Sequence, residues 1–258
     1  MGYGRKIVLV ICLIVFVGSA GMLLNYFIDG MKAQSAFDDL SKMKTEREDL
    51  KTDKGTVIGK YVDLYLANKD IIGWITVDDT KIDYPVMQTQ SNPEYYLHVN
   101  FNNEYSDSGT PFMDANSDIF IPTSNFLIYG HHMDNSRMFG DLDLYKDQTF
   151  FEGNSSGSLI LPDRSYDLEI FACLLVPSSE DAVFDTQQWQ AGIHGLLDFI
   201  SSSAMYVRQD VVDEMREAKD DVQILAMSTC ASEYTDARTI IMAEMKLHSP
   251  EGKQEENS

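Results

Sequence analysis

Two alternating apolar runs near the C-terminal end constrain the fold more than anything else in the chain. Val222-Gln-Ile-Leu-Ala-Met-Ser-Thr-Cys230 ends on a cysteine, and eight residues later Arg238-Thr-Ile-Ile-Met-Ala-Glu-Met-Lys-Leu247 opens on an arginine. Such runs read as strands, and two this close in sequence pair as a hairpin, which places a thiol and a guanidinium near one sheet edge. A third run, Asn125-Phe-Leu-Ile-Tyr-Gly-His-His132, delivers histidine at its end. Cysteine, histidine and arginine at strand termini suggest a nucleophile, its proton partner and an oxyanion donor.

The length of 258 residues fits one domain plus an appendage. A formal charge of −21 offers no basic stripe to phosphates and argues against nucleic acid as a partner. Three cysteines, Cys12, Cys173 and Cys230, are too few for a disulfide framework, and an odd count predicts at least one free thiol. Cys173 sits in the apolar strand Leu168–Val176, where a buried, inert thiol is expected.

Ile7 to Leu24 is an uncharged run that continues through Asn25 to Ile28, after Arg5-Lys6. It is long enough to cross a bilayer. Gly18-Ser19-Ala20 also resembles a small-residue cleavage site, but the apolar run continues past it, and retention as an anchor is expected. Lys32, Lys42 and Lys44 follow on the far side, so the charges leave the orientation open.

From Lys32 to about Asp53 the chain is rich in Lys, Asp and Glu, with sparse Phe37, Leu40, Met43 and Leu50, and reads as a solvated helical stalk, with disorder as the alternative. Ile58, Tyr61, Val62 and Tyr65 recur at helical spacing, so a helix that packs one face on the domain is expected there. Gly73–Val77 and Lys81–Val86 form a hairpin signal, and Ser158–Leu161 with Tyr166–Val176 a second strand pair. Between Val176 and Val222 the period changes: Trp189, Ile193, Leu197 and Ile200 share a helical face, and Val211, Val212 and Met215 mark a second short helix. The last ten residues, 249–258, are polar and acidic and are expected to be disordered.

Three motifs fail on inspection. Asp114-Ala-Asn116-Ser-Asp118 begins like a calcium loop, but Ile119 stands where that loop needs glycine and Asn125 where it needs glutamate. Gly153-Asn-Ser155-Ser-Gly157 matches a nucleophile elbow without the preceding strand and following helix the elbow requires. A zinc site built from His131, His132 and Cys230 is a rival to nucleophilic chemistry, but no paired Cys-x-x-Cys or His-x-x-x-His spacing supports it. His98, His194 and His248 lack motif context and read as ordinary surface or packing residues. Arg238 has a plain alternative as an ion-pair partner of Glu233 or Asp236.

Tyr129-Gly130-His131-His132-Met133, Ser228-Thr229-Cys230 and Arg238, in this order, resemble the signature of sortases, class B in particular. Asp70-Ile-Ile-Gly-Trp-Ile75, Ile82-Asp-Tyr-Pro-Val86 and Tyr95-Tyr-Leu97 are similar to the N-terminal part of that class. The resemblance runs from Asp70 to Leu247. It implies a mainly β fold: a closed sortase-type β-barrel with N-terminal helices and a helical insertion before the cysteine strand. It further implies a single-pass protein of the cell membrane, with residues 1–6 cytoplasmic, 7–28 an anchor, 29–56 a linker and 57–248 an extracellular catalytic domain.

The chemistry implied is transpeptidation with no metal or organic cofactor. The Cys230 thiolate attacks the threonine carbonyl of a sorting peptide in a secreted protein, His131 protonates the leaving amine, and Arg238 holds the oxyanion. Ser228 and Tyr129 are expected to line the substrate groove. An amine from a peptidoglycan precursor or a pilin resolves the thioacyl enzyme. Two alternatives stay open at this point: a cysteine peptidase resolved by water, and a non-catalytic membrane-anchored surface protein.

Overall fold

Three apolar strands, Ile71–Val77, Asn125–Gly130 and Ile224–Thr229, set the architecture, because they carry buried side chains on both faces and need cover on both. In this computed structural model, residues 3–52, 55–118, 125–133, 137–189, 192–218, 222–230 and 236–248 are described. Among them, β1 (Ile71–Val77), β2 (Asp83–Met87), β3 (Phe112–Met113), β4 (Asn125–Gly130), β5 (Ser156–Ile160), β6 (Ser165–Pro177), β7 (Ile224–Thr229) and β8 (Ala237–Leu247) join in one sheet. The order is β6-β8-β7-β4-β3-β2-β1-β5, and β5 pairs again with β6, so these eight strands close into a barrel. Closure removes the open edges that a sheet of such apolar strands would otherwise expose.

The expected hairpin forms, with β7 antiparallel to β8 and Ser228 opposite Ile240. On its other side β7 runs parallel to β4, with Thr229 opposite Gly130. Packing on these strands alternates with the pleat. Ile241, Ala243 and Met245 of β8 and Leu225 and Met227 of β7 point into the barrel. Ile240, Met242, Ile224 and Ala226 belong to a second core on the outside. That outer core is covered by the insertion between β6 and β7, in which α2 (Asp181–Phe184), α3 (His194–Ser203) and α4 (Gln209–Glu217) lie. Leu196, Leu197 and Ile200 of α3 and Val211, Val212 and Met215 of α4 are buried there. Each fully buried aliphatic side chain contributes about 1.5–3 kcal/mol relative to exposure, so the insertion stabilises the strands it covers.

The stretch expected as a solvated stalk behaves differently. A single helix, α1, spans Tyr3–Lys42, and its last turns pack on the barrel. Phe37 and Leu40 are buried, and the Phe37 ring meets Tyr84 edge-on with centroids 5.0 Å apart. Leu50–Thr52 then pairs with Gly55–Val57 in a short ribbon. Phe37 and Leu40, three apart, form the buried stripe of the helix, and the charges on its other faces hid that stripe. Its N-terminal part is long and apolar enough to cross a membrane and is unburied in the structure. The expected tail 249–258, residue Ile119 of the acidic loop and Glu233 lie outside the described residues.

Candidate active site

Register brings the site together. Thr229 and Gly130 face each other on parallel strands, so Cys230 and His131, the next residues, leave the barrel at the same rim. The β7–β8 register, carried two residues beyond Ser228 and Ile240, brings Arg238 opposite Cys230. The Cys230 N–H donates to Gly130 O at 2.8 Å, which extends the parallel ladder to the thiol residue itself. Gly130 admits no side chain, because a Cβ there would meet the Phe139 ring at 2.6 Å. All three residues line one cleft of about 950 Å³.

His131 is fixed by an element the sequence placed only by resemblance. Its Nε2 lies 2.7 Å from Leu97 O, in the short 3₁₀ turn Tyr95–Leu97. A carbonyl only accepts, so Nε2 carries the hydrogen and Nδ1 is left as the basic nitrogen. Burial lowers the His131 pKa, and neighbouring His98 lowers it further, against the opposing pull of Leu97 O and Asp107. Burial pushes the Cys230 thiol up to about 12, with Glu94 adding to the effect and Arg238 opposing it. The resting pair is therefore a neutral thiol beside a neutral imidazole.

Arg238 donates from Nη1 to Thr229 O at 3.4 Å. Its buried Nε has no hydrogen-bond partner among the described residues, and the carboxylate of Asp236 does not engage it. Asp236 instead accepts from Ser178 Oγ. A guanidinium donor that is buried and unmatched at a cleft wall is costly unless something else occupies it.

Tyr129 lines the cleft, its ring lying 5.4 Å from Phe112 and 6.3 Å from Phe184 between centroids. Ser228 does not. It is 0% exposed, and its hydroxyl donates to Thr229 O at 3.0 Å. The strand reaches the rim at Cys230, two residues later than a groove-lining Ser228 requires. His132 turns to Asp143, with Nε2 3.0 Å from the carboxylate, while His131 Nε2 is engaged by Leu97. Among the described residues no group of three or more His, Cys, Asp or Glu side chains is arranged to hold a metal ion.

Two contributors were missed in the sequence. His98, read as an ordinary residue, lines the cleft with its ring centroid 5.6 Å from that of His131. Its position directly after Leu97 was the available signal. Tyr26, at the end of the apolar run of α1, also lines the cleft and directs its hydroxyl to Met133 Sδ at 3.9 Å. Nothing in a helical span marks such a residue in advance. Cys173, by contrast, is buried as expected, and burial pushes its thiol up to about 12.

No protein-family model matches the chain. It is similar to Sortase B of Listeria monocytogenes, with 29% identity over 244 residues that cover 94% of this chain and 96% of that protein. It is also similar to Sortase B of Staphylococcus aureus, with 26% identity over 188 residues, 73% of this chain and 74% of that protein. Among solved structures, a class B sortase of Streptococcus pyogenes involved in pilus biogenesis superposes with a TM-score of 0.62 and 27% identity, covering 72% of this chain and 97% of that one. A Staphylococcus aureus sortase B–substrate complex shares the fold, with a TM-score of 0.65 at 23% identity over 90% of this chain and 100% of that one.

Proposed function

We propose, on the premise that the chain belongs to the class B sortases and is a cysteine transpeptidase that anchors or joins surface proteins, that Cys230 is its nucleophile, His131 its proton-transfer group and Arg238 its oxyanion donor. One observation carries the assignment: the strand register that delivers the three to one rim of one cleft.

In this reading the acyl donor is the threonine carbonyl of a sorting peptide, laid along the cleft beside the aromatic wall of Phe112, Tyr129 and Phe184. The thiol proton passes to His131 Nδ1 as sulfur attacks the carbonyl carbon. The charge that develops on oxygen falls to Arg238, whose guanidinium lines the cleft. Imidazolium returns the proton to the amine as the C–N bond breaks, which leaves a thioacyl enzyme. An acceptor amine attacks that thioester and gives its proton to His131. The thiol is then released as the new amide forms. The acceptor is an amine of a peptidoglycan precursor or a pilin.

The apolar part of α1, residues 7–28, anchors the chain in the cell membrane with the catalytic domain outside; its length and unburied apolar surface support this. Protease protection in whole cells tests the topology, and a domain digested only after lysis refutes it. The activity is tested by incubating the full chain with a library of threonine-containing peptides and hydroxylamine. Amide-type ligation products identify transfer, and peptide acids alone, at any amine concentration, identify a water-resolved peptidase instead.

A further inference from the structure

One polar cluster beside the cleft is not used by the chemistry above. Asp143 lies in the 3₁₀ segment Phe139–Lys146 that follows the histidine loop. Its Oδ2 accepts from His132 Nε2 at 3.0 Å, and its Oδ1 accepts from Thr239 Oγ1 at 2.7 Å and from Lys146 Nζ at 2.7 Å. His132 is the residue after His131, and Thr239 is the residue after Arg238. A third link reaches the nucleophile strand: the Thr239 N–H donates to Thr229 Oγ1 at 3.1 Å, and Thr229 precedes Cys230. The Phe139 N–H donates to His131 O at 2.9 Å, which ties the start of the same segment back to the histidine.

We propose that Asp143 is a positioning residue that locks the His131 loop to the Arg238 strand, so that base and oxyanion donor keep one geometry around Cys230. The proposal rests on the assignment of those three residues to the chemistry. Strands β4 and β8 are not neighbours in the sheet, since β7 lies between them. The backbone ladder therefore fixes His131 and Arg238 each to the cysteine strand but not to each other. At this rim each outer strand keeps a partner of its own, Arg238 opposite Val176 and His132 opposite Met138, and the carboxylate links the two with one oxygen on each side. Burial alone would raise the Asp143 pKa, but the hydrogen bonds from His132, Lys146 and Thr239 outweigh it and hold the carboxyl well below its usual range. The charge is thus present wherever the enzyme works, and both arms of the clamp stay charge-assisted.

The arms separate experimentally. The full chain in detergent is assayed with the selected threonine peptide and hydroxylamine, beside Cys230→Ala. Asp143→Asn keeps the volume but loses the charge, and is expected to lower kcat by up to about 10²-fold, the cost of a misplacement on the order of 1 Å. Its KM should stay within about three-fold, because substrate contacts are untouched. Thr239→Val cuts only the arm to the Arg238 strand and should lower kcat in the same way, whereas Thr239→Ser restores the hydroxyl and the activity. The double variant Asp143→Asn with Thr239→Val should be no slower than Asp143→Asn alone, the non-additivity of one linked unit. A melting temperature lowered with kcat unchanged would make Asp143 merely structural and overturn the proposal. If Asp143→Asn fails to fold, equal kcat in Thr239→Val and Thr239→Ser overturns it instead. Residual ligation by Cys230→Ala would sink the underlying site assignment, a different result from parent-like turnover in Asp143→Asn.

Discussion

The backbone N–H of Cys230 donates to the carbonyl of Gly130 at 2.8 Å and ties the proposed nucleophile to the strand that leads to His131. It extends the parallel pairing of Thr229 with Gly130 by one step, past the last strand residues. The thiol and the imidazole that follow are thereby held at the end of a rigid barrel rather than on independent loops. Catalytic geometry that must hold to a fraction of an ångström benefits from such an origin.

The two adjacent histidines should separate cleanly. His131→Ala is expected to reduce turnover about 10²–10⁴-fold, the usual contribution of general acid–base catalysis. The His132 imidazole is engaged by Asp143, so His132→Ala should keep a larger share of activity. Steady-state kinetics on both variants decide it, and a greater loss at His132 would reverse the assignment.

The neutral resting pair makes a prediction about pH. A thiol whose pKa is raised to about 12 is almost entirely protonated at neutral pH, and its thiolate grows as pH climbs past the ordinary value of 9.0. Alkylation of Cys230 by iodoacetamide should therefore be slow near neutrality and still be accelerating about two units above 9.0, where an ordinary thiol has levelled off. On the acid side, His131 has a lowered pKa, so its protonation, and the fall in turnover it causes, should come below the ordinary 6.5. An alkylation rate already flat between pH 7 and 9.0 would show a preformed thiolate instead.

Arg238 lets charge and shape be told apart. Lysine keeps the charge but loses the planar fork, and an ammonium cannot reproduce the buried Nε donor. Both Arg238→Lys and Arg238→Ala should lose about 10²–10³ in turnover, the cost of one oxyanion donor, with melting temperatures close to the parent. A lysine variant within a few-fold of the parent would leave a simple Cys–His dyad.

Truncation tests the packing of α1. A chain that begins at residue 31 keeps Phe37 and Leu40 in the core and should fold, losing Tyr26 from the cleft wall. A chain that begins at residue 43 loses both buried side chains, each large-to-nothing change costing roughly 2–5 kcal/mol. Thermal unfolding of the two soluble proteins should differ by tens of degrees or leave the shorter one unfolded. Equal melting temperatures would return residues 29–42 to the role of a free stalk.

What the sequence disclosed follows from locality. Cys230, Arg238 and His131 each end or open an apolar run, and the β7–β8 hairpin joins neighbours in sequence, so both were readable from pattern and turn chemistry. The parallel pairing of β4 with β7 joins residues about a hundred apart, and no short-range pattern encodes it; only the resemblance supplied that closeness. Ser228 was misplaced because β7 is buried on both faces, so alternation there separates two cores rather than core from solvent. His98 was passed over because its role depends on where the loop after Leu97 returns. The charged faces of α1 concealed the narrow stripe of Phe37 and Leu40, which a binary reading of polarity averages away.

The central claim is that Cys230 forms a covalent acyl bond to the peptide, and intact-mass analysis of the full chain tests it most directly. The enzyme is mixed with the selected threonine peptide in the absence of any amine, quenched in acid, digested and mapped. The account predicts an added mass equal to the N-terminal fragment ending in threonine, carried on the peptide that contains Cys230. It further predicts no adduct in Cys230→Ala and an unchanged one in Cys173→Ala, whose thiol is fully buried. An adduct on any other residue, or turnover by Cys230→Ala without one, would contradict it.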